Sequence, residues 1–303
     1  MSLLPLIIIS YILIVFFLAT FIYKTGKMAK LPLHLRWELA PVPHEKGKNQ
    51  YGGSYLEEYD WWTKKREKSL INEVIYMGKE IVFLKGVFEN NKKLWYFSFP
   101  FHFGIYVLTV AALLTLIVAV IPTSFLPISS DITSAFIETL AMIGFTIGCL
   151  GTLGLMARRK FDPKLKNYTT RGSFFNLFFL LALFLSGLIS ILTTPDFYGE
   201  MNHYAQSLIF ASTTGVIPGI VSLHCIITLL FLAYLPFTNM LHFLAKYFTY
   251  HEVRWNDSPM AGNQKMQKEV LELLNQKVSW AAPHLNANGR KNWVEIATEE
   301  KKQ

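Results

Sequence analysis

Residues 94–130 read LWYFSFPFHFGIYVLTVAALLTLIVAVIPTSFLPISS and contain no Asp, Glu, Lys or Arg. A helix needs about 20 apolar residues to cross roughly 30 Å of hydrocarbon. This stretch therefore holds one full span and an aqueous turn. Four others resemble it: Ser2 to Tyr23, Ile132 to Ala157 (broken only by Glu138), Gly172 to Pro195, and Met201 to Ala245. The expected spans are Leu3–Tyr23, Phe97–Ile121, Ile132–Met156, Phe174–Leu192 and Pro218–Phe243. Spans built from helices are expected because open sheet edges find no partner in lipid. The fold class is an all-α integral membrane protein with a bundle of five transmembrane helices. The chain divides into a first span at 1–23, an inner loop at 24–96, a membrane region at 97–245 and a tail at 246–303.

The composition agrees. Of 303 residues, 52% are apolar and 17% charged, with a mean hydropathy of +0.30. Soluble domains carry about 25% charged residues. Disorder, a disulfide-rich secreted scaffold and an ordinary soluble enzyme are excluded. A cleaved secretory signal is the rival reading of the first span. Such a signal needs a basic leading region, and here the lysines Lys24, Lys27 and Lys30 follow the apolar run instead.

Positive charge sets the orientation. Of 29 Lys and Arg, 14 lie between Lys24 and Lys93, six between Arg158 and Arg171, and nine from Lys246 onward. The loops Pro122–Asp131 and Thr193–Ile217 hold none, only Asp131, Asp196 and Glu200. By the positive-inside rule the N-terminus is outside and the C-terminus cytoplasmic. The net charge of +8 then reflects topology and contact with anionic lipid; no nucleic acid is implied.

In the inner loop, a coil at Leu31–Lys48 precedes a turn at Gly52–Gly53, an acidic-aromatic cluster at Tyr55–Trp62 and a basic run at Lys64–Lys68. Leu70, Val74, Met77, Ile81 and Leu84 repeat at helical steps and predict an interfacial helix over Leu70–Phe88. Gln264–Lys277 reads as a short amphipathic helix. Arg158 to Lys160, Lys64 to Arg66 and Trp61–Trp62 suit a docking face for a cytoplasmic subunit, or serve only as topology determinants and interfacial anchors. Two cysteines, Cys149 and Cys225, are too few for an iron–sulfur cluster; they read as small buried hydrophobes.

Histidine is the chemistry-bearing residue of the spans. His102, His224 and His242 all lie in them, and ionisable groups there face the bundle interior or a site. His224 and His242 are 18 residues apart, five turns of an unbroken helix, so both would face one direction. His102 and His242 sit near the inner ends of spans that run in opposite directions, which sets them at similar depth. Two facing imidazoles suit the two axial positions of a haem iron. Taken singly, each histidine has an ordinary alternative: an interfacial side chain hydrogen-bonded to its surroundings.

The stretches Phe99-Pro-Phe-His-Phe-Gly-Ile-Tyr106, Leu223-His-Cys and Phe237-Thr-Asn-Met-Leu-His242 resemble the gamma subunit of respiratory nitrate reductase and its relatives. These are five-span, di-haem b membrane cytochromes. Leu35-Arg-Trp-Glu-Leu-Ala-Pro-Val-Pro-His44 resembles longer members paired with heterodisulfide-reductase-like iron–sulfur proteins. The resemblance implies that His102 and His242 ligate an inner haem, and that His224 ligates an outer one. It also implies a departure. The family pattern has a second histidine ten residues after the first, and here that position is Ala112. His203, in a helix expected over Tyr198–Phe210 across the outer mouth, is a candidate partner for His224. Met142, a partner subunit or a single haem are the alternatives.

The cofactors implied are haem b, one or two, and menaquinone. The chain would pass electrons between menaquinol, or an extracytoplasmic multihaem cytochrome c, and a cytoplasmic iron–sulfur subunit, in a bacterial or archaeal cytoplasmic membrane. Quinol oxidation releases protons, and Glu138 is the candidate acceptor, unless it only snorkels to the surface. A non-haem membrane anchor or transporter is the alternative from another class. No internal repeat of the transporter kind is present.

Overall fold

The computed structural model describes residues 1–30, 59, 70–121, 130–249, 264–279 and 289–299. The sequence features at 31–58 and 60–69, and His34, His44, His251 and His284, lie outside them. Among the described residues there is no strand, only isolated bridges at Ser2–Val216 and Lys277–Asn292. The helices in chain order are α1 (Leu3–Ala29), α2 (Leu70–Phe83), α3 (Lys85–Asn90), α4 (Lys92–Val120), α5 (Ser130–Phe161), α6 (Pro163–Lys166), α7 (Arg171–Thr193), α8 (Phe197–Ile209), α9 (Gly219–Tyr234), α10 (His242–Thr249), α11 (Gln264–Leu274) and α12 (Trp293–Thr298).

Five of these helices are long and apolar enough to cross a membrane: α1, α4, α5, α7, and α9 extended to Phe237. The expected five-span, all-α fold is therefore present. Most of the helices outrun their apolar stretches, as α4 does at Lys92 and α5 at Phe161. Terminal Lys and Arg chains reach the interface while the backbone stays hydrogen-bonded.

The chain forms two compact units. The first, Met1–Phe21 with Met77–Thr238, is the membrane bundle. Its register follows from side-chain contacts. A Cβ on Gly104 of α4 would meet the backbone of Gly144 and Gly148 of α5 at 2.8–2.9 Å, and one on Gly151 would meet the backbone of Phe101 at 2.4 Å. On the next face of α5, Gly148 carries the ring of Phe184 from α7, and Gly187 of α7 carries the ring of Phe145. Ser186 and Ser190 of α7 bond to His224 and to the carbonyl of Ile220 on α9. At the far end of α9, Tyr234 donates to Asn176 at 2.9 Å. The order α4–α5–α7–α9 is thus antiparallel throughout, held by small residues that let backbones approach, as expected where lipid offers no hydrophobic drive.

By that register α7 and α9 stop short of the ends of α4 and α5. α8 fills the space beyond, packing against α4, α5 and α9. It starts at Asp196, an exposed N-cap whose carboxylate accepts from Gly199 N at 2.9 Å. α1 is tied on from outside. The terminal ammonium donates to Ile217 O at 2.7 Å, Ile217 N donates to Met1 O, and Tyr11 donates to Leu208 O. Ser10 Oγ donates to Leu6 O and meets Tyr204 Oη of α8 at 2.6 Å, so the phenol is the donor of that pair.

Burial pushes the Tyr204 phenol up to about 12; the Cys225 thiol adds to this and the Ser10 bond opposes it. Tyr204→Phe is expected to lower stability by about 1–2 kcal/mol, read as a fall in thermal midpoint. The folded chain holds this proton more tightly than the unfolded one. The stabilisation is therefore complete below about pH 10 and lost as pH rises towards 12.

Two sequence expectations are corrected. The interfacial helix is not continuous to Phe88: it stops at Phe83, Leu84 takes a left-handed conformation (φ 51°), and α3 restarts at Lys85. Glu80 stabilises the break by accepting from Gly86 N at 2.8 Å. The fifth span is not a helix to Phe243. It ends at Tyr234, passes through a 3₁₀ turn at Leu235–Phe237, and Thr238 is extended (φ −111°, ψ 166°). Pro236 has no N–H to donate and its ring would crowd the carbonyl four residues back.

The second unit is Ile22–Tyr76 with Asn239–Gln303. Among its described residues, a 3₁₀ turn at Asn239–Leu241 leads into α10. The amphipathic helix of the tail is α11, ending at Leu274 rather than Lys277. Val278 N donates to Lys291 O, and a capping box at Asn292 and Glu295 starts α12.

Candidate functional site

His224 is the most enclosed histidine among the described residues, 6% exposed, on the first turns of α9. Ser186 reaches its Nδ1 at 3.0 Å from α7, and the ring of Phe145 from α5 stands edge-on at 5.1 Å and 89°. Phe145 is itself seated on Gly187. The level of His224 is therefore the middle of α5. Past the start of α9, α8 and the 210–218 loop occupy the end of the bundle.

His102 lies on α4 beside Pro100. Its Nδ1 is 2.7 Å from the carbonyl of Ser98 and 3.4 Å from that residue's hydroxyl, and its ring packs near Phe101 and Tyr106. Tyr106 in turn donates to Ile81 O of α2. His242 begins α10 in the second unit and is exposed, its Nδ1 3.3 Å from Asn239 O. The helical break before it removes the common-face argument: 18 residues make five turns only in an unbroken helix.

His203 lies on α8 with its ring against Gly215, where a Cβ would come within 2.9 Å of Cε1. Gly215 has φ +123°, a conformation open to glycine. α8 itself covers Phe197–Ile209, close to the expected helix. Met201 of α8 places its sulfur 4.0 Å from Cys225. Both cysteines are buried and free, as small hydrophobes would be. Glu138 is half-buried two turns into α5, near the level where α7 ends. Ala112 is exposed on α4.

His102, His224 and His242 are each held through Nδ1, by Ser186 or by a main-chain carbonyl. Such a bond fixes the orientation of the ring. Gly148 and Gly187 seat the rings of Phe184 and Phe145, which a Cβ would approach to 2.8 Å and 2.3 Å. Thr228 Oγ1, one turn past His224 on the same face of α9, is buried without a hydrogen-bond partner among the described residues. Among the described residues α4 packs chiefly on α5, α5 on α7 and α7 on α9. Among the described residues no three His, Cys, Asp or Glu side chains converge. A porphyrin iron brings four ligands of its own and asks the protein for two.

Ser186, Phe145 and Thr228 were not identified from sequence. Ser186 is 38 residues from its histidine, and no local spacing connects them. The family model described as Nitrate reductase gamma subunit matches residues 86–256. That stretch runs from α3 through α10 and contains His102, His203, His224 and His242. No curated protein and no solved structure matches the chain significantly.

Proposed function

The chain belongs to the nitrate reductase gamma subunit family, whose members are b-type cytochrome membrane subunits in electron transfer, and from that premise we propose its ligands, substrate and partners. The protein is a multi-pass membrane protein of the cytoplasmic membrane, and the family acts in multi-subunit complexes. In our reading His102 and His242 are the axial ligands of one haem b, and His224 is a ligand of a second. His203 is its candidate partner, in place of the histidine lost at Ala112. When bound, haem b supplies a one-electron carrier whose iron accepts imidazole on both faces. The chain's own part is to fix the imidazoles through Nδ1, to exclude water by packing Phe145 and Phe184 between α5 and α7, and to bring a quinol to the bundle.

The N-terminus faces outward, as the loop lysines and arginines require. Menaquinol is the donor, with Glu138 a proton acceptor, and a cytoplasmic heterodisulfide-reductase-like iron–sulfur subunit receives the electrons. An extracytoplasmic multihaem cytochrome c is the other possible donor. The observation that supports this reading is the match of the family model to residues 86–256, which hold His102, His203, His224 and His242. Haem per polypeptide tests it, by pyridine haemochrome on the purified full chain. Two haems are expected, and His203→Ala is expected to leave one. Two haems in that variant would remove His203 from the ligand set. A folded chain with none would favour a non-haem anchor or transporter.

A further inference from the structure

The end of α2 is fastened to α4. The last four carbonyls of a helix have no partner within it, and side chains of α4 meet two of those in α2. Tyr106 Oη donates to Ile81 O at 2.9 Å, and Trp95 Nε1 donates to Phe83 O at 2.7 Å. Leu84 closes the end in a left-handed conformation, a position that glycine ordinarily takes. Phe88 of α3 stands edge-on to Trp95 at 5.2 Å, and Trp95 stacks on Phe99 at 4.8 Å. Trp95, Phe99 and Tyr106 share one face of α4 by helical spacing.

The level of these bonds along α4 decides what surrounds them. Lys93 is the last charged residue of α4. Trp95 and Tyr106 both lie beyond it, separated by about 16 Å of helix, and a helical side chain leans toward the turn before its own Cα. Ile81 O and Phe83 O therefore stand beside α4 between Trp95 and Tyr106, in the stretch that crosses the membrane. Three successive apolar residues there, Ile81, Val82 and Phe83, are 50%, 42% and 57% exposed. In water the two carbonyls would be hydrated and the indole and phenol donors would add little. In hydrocarbon an unpaired carbonyl costs far more than a surface hydrogen bond returns, so both donors matter. A leucine at the turn accepts backbone strain and keeps an apolar side chain where glycine has none.

We propose that residues 77–95 form a wedge inserted in the bilayer leaflet next to Lys92 and Lys93. Ile81, Val82 and Phe83 face acyl chains, and Tyr106 and Trp95 cap the carbonyls that lipid leaves dry. The partner of this apolar face is the membrane itself, continuous with the lipid around α4, and not a soluble subunit. An amphipathic helix resting in the interface needs neither cap. The wedge thus gives the expected interfacial segment a depth and gives its break at Leu84 a reason. It also sets a lipid-side shield near His102, which lies four residues before Tyr106 on the same face of α4.

The test is a depth measurement by spin-label power saturation on the full chain, reconstituted without partners in phosphatidylcholine vesicles. Nitroxides are attached to Val82→Cys, Lys93→Cys and Leu113→Cys, and their collisions with oxygen and with a water-soluble nickel chelate are compared. Cys149 and Cys225 are buried and free, so the unsubstituted chain carried through labelling sets the background. Leu113, 54% exposed on α4, is the reference within the span. The Val82 label is expected to lie deeper than the Lys93 label and shallower than the Leu113 label. A Val82 label at the level of Lys93, or outside it, would overturn the wedge and leave its face to a soluble partner. Tyr106→Phe and Trp95→Phe, each combined with Val82→Cys, are expected to move the label outward toward the level of Lys93. The same substitutions combined with Leu113→Cys are expected to leave that label in place, which separates release of α2 from loss of α4. A Val82 label that keeps its depth in both variants would overturn the capping by Tyr106 and Trp95. If Trp95→Phe does not accumulate, Tyr106→Phe decides alone.

Discussion

Replacing His102 with alanine is expected to remove one haem per chain, and replacing His242 is expected to remove the same one. Each substitution deletes one of two axial bonds and leaves an iron with a single imidazole. Alanine at either position also withdraws the group that Ser98 O or Asn239 O now orients. The decisive comparison is the double variant. Ligands of one iron act as a unit, so removing both should cost no more haem than removing either. Ligands of two irons would add, and the double variant would lose two. His224→Ala supplies the contrast, since its loss combined with His102→Ala should take both haems. Pyridine haemochrome counts the haems, and the reduced α-band shows which spectral component has gone. A full complement of haem in His102→Ala would end the pairing. So would a double variant that loses more than either single one.

The spans were legible because membrane crossing is written in composition. Charge is absent for 20 or more residues at a time, and no tertiary contact is needed to see it. The α8 helix was legible for a related reason, as a polar, aromatic segment too weakly apolar to span. The breaks at Leu84 and Thr238 were not. Leu84 takes a left-handed conformation that no leucine announces, stabilised by Glu80 reaching across to Gly86 N. Pro236 was visible, but proline inside a membrane helix also occurs without ending it, as Pro100 does within α4. The neighbours of His224 were not legible, because they depend on the register of α9 on α7, set by Ser186 and Ser190.

Gly151→Leu is expected to prevent accumulation of a haem-loaded chain, and Gly151→Ala to lower its stability by about 3 kcal/mol, the upper part of the range for overpacking. A Cβ at Gly151 would stand 2.4 Å from Phe101 N and 2.7 Å from its Cα. Those are backbone atoms of α4, so no side-chain rotation relieves the clash and the helices themselves must part. Parting them at Gly151 also opens the contact at Gly104, whose own Cβ position lies 2.8 Å from Gly148 N. The thermal midpoint of Gly151→Ala, followed by loss of the haem absorbance, should fall by roughly 10 °C. Gly78→Ala is the matched control. Nothing lies within 4 Å of its Cβ position in α2, so only helix propensity changes, by up to about 1 kcal/mol in favour of alanine. The consequence for function follows from sequence adjacency. Phe101 is the residue before His102, and its ring meets Phe184 edge-on at 6.2 Å. A displaced Phe101 carries the imidazole with it, so Gly151→Ala should lose haem before it loses helix. Loss of both together on heating would instead show that the α4–α5 contact and the ligand position are one cooperative unit. An unshifted midpoint would show that α4 and α5 approach less closely than this packing requires.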